Sequence, residues 1–175
     1  MNPSSVANKM LHCDITNGYD GLDDLELLAT TDPELSWQII WNVLTKGADP
    51  GKDDGAMCLE LMKIASSSNG RQAVDSHLLS TWNCLPCETR SNLIHGFGDS
   101  DVVSLGTVVT LFDAPSTTVW ERHHICATLA SCRYDESPQI IVDMVMRIGA
   151  YEDAERQAQL EAFVKSVPTW GHRLS

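Results

Sequence analysis

Basic residues are scarce in this chain. Its 175 residues include 12 Lys+Arg against 24 Asp+Glu, a formal net charge of −12. Phosphate contacts need clustered Lys and Arg, so general nucleic-acid binding is not expected. Aromatic side chains make up only 6% of residues, and alternating apolar–polar runs are missing. The usual signals of a β-sheet are therefore lacking. No apolar stretch approaches the roughly 18 residues that cross a bilayer, which argues against a membrane partner. Met1 to Asp14 has no apolar centre of the kind a secretory signal carries, so a cytoplasmic location is expected. There is no Gly-x-Ser-x-Gly elbow, no His-Glu-x-x-His pair and no phosphate loop. A non-enzymatic protein without a cofactor is the expectation.

Apolar residues, by contrast, make up 43% of the chain, too many for a disordered protein. The length suits one domain. Residues 1–20 read as a loose or capping segment, 21–167 as a single helical domain and 168–175 as a polar tail.

Helical spacing dominates the middle. Leu22, Leu25 and Leu28 mark a short helix with acids near its start. Asp32-Pro33 is a cap followed by a first-turn proline, and Trp37, Ile40, Trp41 and Leu44 then follow at i, i+3, i+4 and i+7. A helix is predicted from about Asp54 to Ala65 on Cys58, Leu61, Met62 and Ala65, broken by Ser66 to Gly70. Another runs over Gln72 to Trp82 on Val74, Leu78 and Trp82. Pro86 opens a short one carrying Leu93, Ile94 and Phe97. Segment 101–112, capped by Asp99 or Ser100, has helical spacing but enough β-branched residues to leave a strand open. Thr118 and Glu121 have capping-box spacing. Ser137-Pro138 starts a further helix on Ile141, Met144, Val145 and Ile148, with Gly149 as its stop. A last helix is predicted over Glu152 to Ser166, with Leu160, Phe163, Val164 and Val167. The expected fold is all-α, with about seven to nine helices in stacked pairs or an irregular bundle.

Pro33, Pro86 and Pro138 each begin a helix and lie 53 and 52 residues apart. SWQIIWNVLTKGAD at 36–49 parallels VDMVMRIGAYED at 142–153. This rhythm resembles that of HEAT-like α-solenoid proteins, in which stacked helix pairs bury faces that no single pair covers. Residues 43–79 also resemble one ankyrin repeat through the Gly47-Ala48-Asp49-Pro50 turn, Ala65 with Asn69-Gly70, and Val74 with Leu78-Leu79. They depart from it where Met57-Cys58-Leu59-Glu60 stands near the place of Thr-Pro-Leu-His. Both resemblances imply a rigid helical surface that binds another macromolecule.

Six cysteines are present: Cys13, Cys58, Cys84, Cys87, Cys126 and Cys132. Cys58 and Cys126 fall on or beside apolar helix faces, as small hydrophobes do. Cys84-Leu85-Pro86-Cys87 has the spacing of a redox pair, in which a helix N-terminus activates the first thiol. The βαβ context of such sites is missing. Cys84 and Cys87, with candidate partners His123, His124, Cys126 and Cys132 and foremost His123 and Cys126, come nearest to a zinc set. A second Cys-x-x-Cys is lacking, so no metal site is expected.

The acidity is uneven. Residues 1–60 hold 11 acidic and 3 basic residues, a net of −8, whereas 61–175 hold 13 and 9, a net of −4. In a stacked array the early turns line one edge and form a negative ridge, which steers and holds a basic partner. Candidate contacts are Asp23, Asp24, Glu26, Asp49, Asp53 and Asp54, with Trp170 in the tail as an anchor. The expected role is binding a basic protein partner, to inhibit or scaffold it. Such a protein is similar to immunity or inhibitor proteins that act on a basic toxin or nuclease. The alternative is a thiol-redox or zinc protein centred on Cys84 and Cys87.

Overall fold

The computed structural model describes residues 22–46, 55–133, 135–136 and 138–166, without the side chains of Lys46, Leu160 and residues 162–166. All regular structure among them is helical. The helices are α1 (Leu22–Thr31), α2 (Pro33–Lys46), α3 (Gly55–Asn69), α4 (Arg71–Thr81), α5 (Cys87–Leu93), α6 (Leu105–Phe112), α7 (Val119–Cys132) and α8 (Pro138–Ser166). Two 3-10 turns, Trp82–Cys84 and Ile94–Gly98, flank α5.

The chain packs largely in sequence order. α1 lies on α2 and α3, and α4 lies on α3 and α6. The Ile94–Gly98 turn sits between α3 and α7, and α8 has α7 as its main neighbour. Thus α1 and α2 close one end and α8 the other. The predicted stripes form one continuous core, with Leu25, Ile40, Leu61, Met62, Val74, Leu78, Trp82, Phe97, Phe112 and Ile125 at its centre. Gly96 is small because Met62 lies against it: an added Cβ would come within 2.5 Å of the Met62 sulfur.

Local chemistry sets the helix starts. The Asp32 carboxylate accepts from the Leu35 amide at 3.1 Å, the cap expected before Pro33. Thr118 and Glu121 form the full reciprocal capping box. Pro86 occupies the N-cap position of α5.

Three expectations about boundaries are corrected. Segment 101–112 is neither a strand nor a helix throughout. Asp99 organises a turn, its carboxylate accepting from the Asp101 amide at 2.9 Å and its carbonyl from the amides of Val102 and Val103. Val102 and Val103 are buried by that turn. The helix then starts at Leu105, because Ser104 supplies the cap to Thr107. Second, α3 does not break at Ser66. Ser67 and Ser68 turn their hydroxyls back onto the Ile64 carbonyl at 3.0 and 2.8 Å, leaving the helix intact to Asn69. Gly70 ends it in the left-handed region, with φ of 84°. Third, Gly149 does not stop a helix. α8 runs 29 residues through it, so the stop that the sequence parallel with residues 36–49 predicted is absent there. A glycine in mid-helix lowers helix propensity by only about 1 kcal/mol, and no Pro or cap follows Gly149 to enforce a stop.

α8 differs in a second respect. Ile141, Met144 and Ile148 are buried, but Val145, expected in the same stripe, is half exposed.

Candidate functional site

Charges are handled differently along the array. Between α5 and α7 they are buried and hydrogen-bonded, with Nη1 of Arg133 left without a partner among the described residues. Arg90 holds Glu121 through Nε at 2.8 Å and Nη2 at 3.2 Å, and donates to the carbonyls of Leu85 and Ser116. Glu121 also accepts from the Thr118 amide at 2.7 Å. Burial alone would raise the Glu121 pKa, but the hydrogen bonds from Arg90 and Thr118 outweigh it and hold the carboxyl below its usual range. Arg122 donates to the carbonyls of Phe112, Thr117 and Ala114, and its guanidinium stacks 3.6 Å from the Tyr151 ring. Arg133 donates to the Val103 carbonyl at 2.7 Å. These three buried arginines fasten the connecting loops to the helices.

At the α1–α3 end the charges face water. Asp23 and Glu26 are exposed on α1, one turn apart. Glu26 lines an open groove of about 750 Å³ with Ala29, Thr30 and Pro33 on one side and Glu60, Lys63, Ile64, Ser67 and Ser68 of α3 on the other. Lys63 is paired with Glu60 at 3.0 Å, both side chains about 40% exposed. Asp24 is half-buried and engaged, so it contributes less to this face than its neighbours. Asp49, Asp53, Asp54 and Trp170 lie outside the described residues. Glu60 and the hydroxyls of Thr30, Ser67 and Ser68 are the part of the groove that the sequence reading missed. The signal was the three- and four-residue spacing of Glu60, Lys63 and Ser67 along α3, on a side that faces α1 only once the helices are paired.

The cysteine and histidine candidates are dispersed. Cys84 and Cys87 are exposed at the α4–α5 corner. Burial raises the Cys87 pKa, and the neighbouring Glu121 carboxylate raises it further. An attacking thiol needs the opposite shift. Cys126 faces the core, where burial pushes its thiol up to about 11. His123 is on the outer side of the same helix and meets Glu152 of α8 at 3.0 Å. Their i, i+3 spacing predicts a shared helix face; one helix holds both, but Cys126 is buried and His123 is exposed. Among the described residues no group of three or more His, Cys, Asp and Glu is placed to hold a metal ion.

Two histidine arrangements could not be read from the sequence. His77 packs against Trp37 and Trp41, with ring centroids 5.5 and 4.1 Å away, and burial lowers its pKa. His124 lies between the exposed Trp120 and His95, with centroids at 5.3 and 5.1 Å. Its Nδ1 is buried without a hydrogen bond. Burial, and then the nearby His95, lower its pKa.

Among the described residues no helix is long and apolar enough to cross a membrane. No known protein family, curated protein or solved structure matches the chain.

Proposed function

We propose that the protein is a non-enzymatic helical binding protein whose acidic α1–α3 face engages a basic protein partner and occludes its working surface. The observation that carries this reading is the groove between α1 and α3. Glu26 and Glu60 line it from opposite sides together with the hydroxyls of Thr30, Ser67 and Ser68, and Asp23 is exposed one turn before Glu26. Among the described residues, the one cation lining it, Lys63, is already paired. Such a groove accepts Lys or Arg side chains from an extended segment or helix of the partner and supplies both charge and hydrogen-bond acceptors. The net of −8 over residues 1–60 favours long-range steering of a basic partner. The inhibitor or immunity role, against a basic toxin or nuclease, fits a protein whose available chemistry is charge.

The test is affinity capture from the native lysate at low and high salt, followed by mass spectrometry. The expected result is a basic protein retained at low salt, weakened at high salt, and lost when Asp23, Glu26 and Glu60 are changed together to Lys. The same proteins retained by the variant, or none retained at either salt, would contradict the reading.

A further inference from the structure

α8 carries two stripes. The inner one, Ile141, Met144 and Ile148, is buried, and Tyr151 next to it is packed against Phe112 and Arg122. The outer one lies roughly 130° around the helix, taking 3.6 residues per turn. It contains Val142, Met146 and Gly149, with Val145 beside them. Val142, Val145 and Met146 are 52%, 50% and 77% exposed. A Cβ added at Gly149 would meet nothing. Every described side chain from Glu152 to Glu161 is exposed. Beyond the Glu152–His123 contact, the described side chains of this part of the helix thus face away from the body, and short isolated helices are marginal in water.

The outer stripe continues in strict 4-3 spacing along the helix: Val142, Met146, Gly149, Asp153, Arg156, Leu160 and Phe163. This is the heptad spacing of a coiled coil. It is also self-complementary when read against its own reverse. Setting residue i beside residue 309 − i of an antiparallel copy places Met146 opposite Phe163, Gly149 opposite Leu160, and Asp153 opposite Arg156. At the centre of this register Asp153 and Arg156 stand opposite each other twice across the two-fold axis, so the two charged layers neutralise each other. A parallel pair would set Asp153 on Asp153 and Arg156 on Arg156. Neither Asp153 nor Arg156 makes an ion pair among the described residues.

We infer that α8 is a homodimerisation helix that pairs antiparallel with α8 of a second copy of this chain, in the register set by Asp153 and Arg156. The paired segment from Met146 to Phe163 is about 26 Å long at 1.5 Å per residue. Polar layers of this kind fix register and orientation in coiled coils. The dimer would carry its two acidic α1–α3 faces on the ends remote from the α8 seam.

Sedimentation equilibrium of the full chain over a wide concentration range tests this, with circular dichroism as the control for helix content. The wild type is expected to dimerise. Asp153→Arg and Arg156→Asp are each expected to weaken the dimer by roughly tenfold or more, since each places like charges in both central layers. An equimolar mixture of the two variants is expected to restore dimer, because the heterodimer again sets opposite charges in both layers. A wild type that stays monomeric at all concentrations would overturn the inference. So would a dimer that neither reversal weakens, or single variants that the mixture does not rescue; either would assign α8 to another partner or the dimer to another face.

Discussion

Two regions of this protein use charge in opposite ways. Around α5 and α7, Arg90, Glu121, Arg122 and Arg133 are buried, and they hold loops in place. On α1 and α3, Glu26 and Glu60 line an open groove and Asp23 is exposed one turn before Glu26; among the described residues the ion pair they make is Glu60–Lys63. The contrast separates charge that serves folding from charge available for recognition. A buried, paired carboxylate is fixed by its partners. An exposed one, with little to lose in stability, is free to meet a ligand.

The comparison is broken most severely by removing one member of the buried pair. Glu121→Ala strands the Arg90 guanidinium in the core and is expected to lower unfolding free energy by about 3–5 kcal/mol, read from the denaturant midpoint. Arg90→Met with Glu121→Leu removes both charges and is expected to recover much of that loss. If the single and double variants were equally unstable, the pair would not be acting as a unit.

pH gives the next effect. His77 and His124 have lowered pKa values in the fold, so the unfolded chain takes up their protons first. Stability is therefore expected to decline as pH falls below the ordinary histidine value of about 6.5. Glu121 has a lowered carboxyl pKa. Its contribution is present above the ordinary carboxylate range and is lost as pH falls through the folded value. Denaturant midpoints between pH 8 and 3 should thus drop in two stages. Glu121→Gln should flatten the second stage only, and His124→Phe should reduce the first.

The mildest perturbation falls on the other region. Asp23→Lys and Glu26→Lys are each expected to change stability by less than about 0.5 kcal/mol, as exposed substitutions do. A larger loss at either position would mean that these acids serve the fold. Among the thiols, Cys87 should label with iodoacetamide at neutral pH more slowly than a free peptide thiol, since its pKa is raised. Fast labelling would reopen a redox role for the Cys84–Cys87 corner.

Much of this architecture was legible in residues alone. The Asp32-Pro33 start, the Thr118–Glu121 box and the stripes ending in Trp82 and Phe97 are local patterns, and local physics decides them. The misreadings were of two kinds. At Ser66–Ser68 and Asp99–Ser104, polar side chains had two backbone targets, and composition does not say which is taken. At Gly149 and Val145, the answer depended on what α8 packs against, which no window of sequence contains. The site was less legible than the fold. Asp23 and Glu26 stand out by charge. The opposing wall with Glu60 exists only after α1 and α3 pair, and the placement of His124 between Trp120 and His95 joins positions from separate elements.

The most direct test of the central claim uses the captured partner in solution. Its affinity for the wild type and for the variant with Asp23, Glu26 and Glu60 changed to Lys would be measured from low to high salt. The account predicts tight, steeply salt-dependent binding by the wild type, and weak, nearly salt-independent binding by a variant of unchanged stability. Equal affinity and equal salt dependence for both would contradict it.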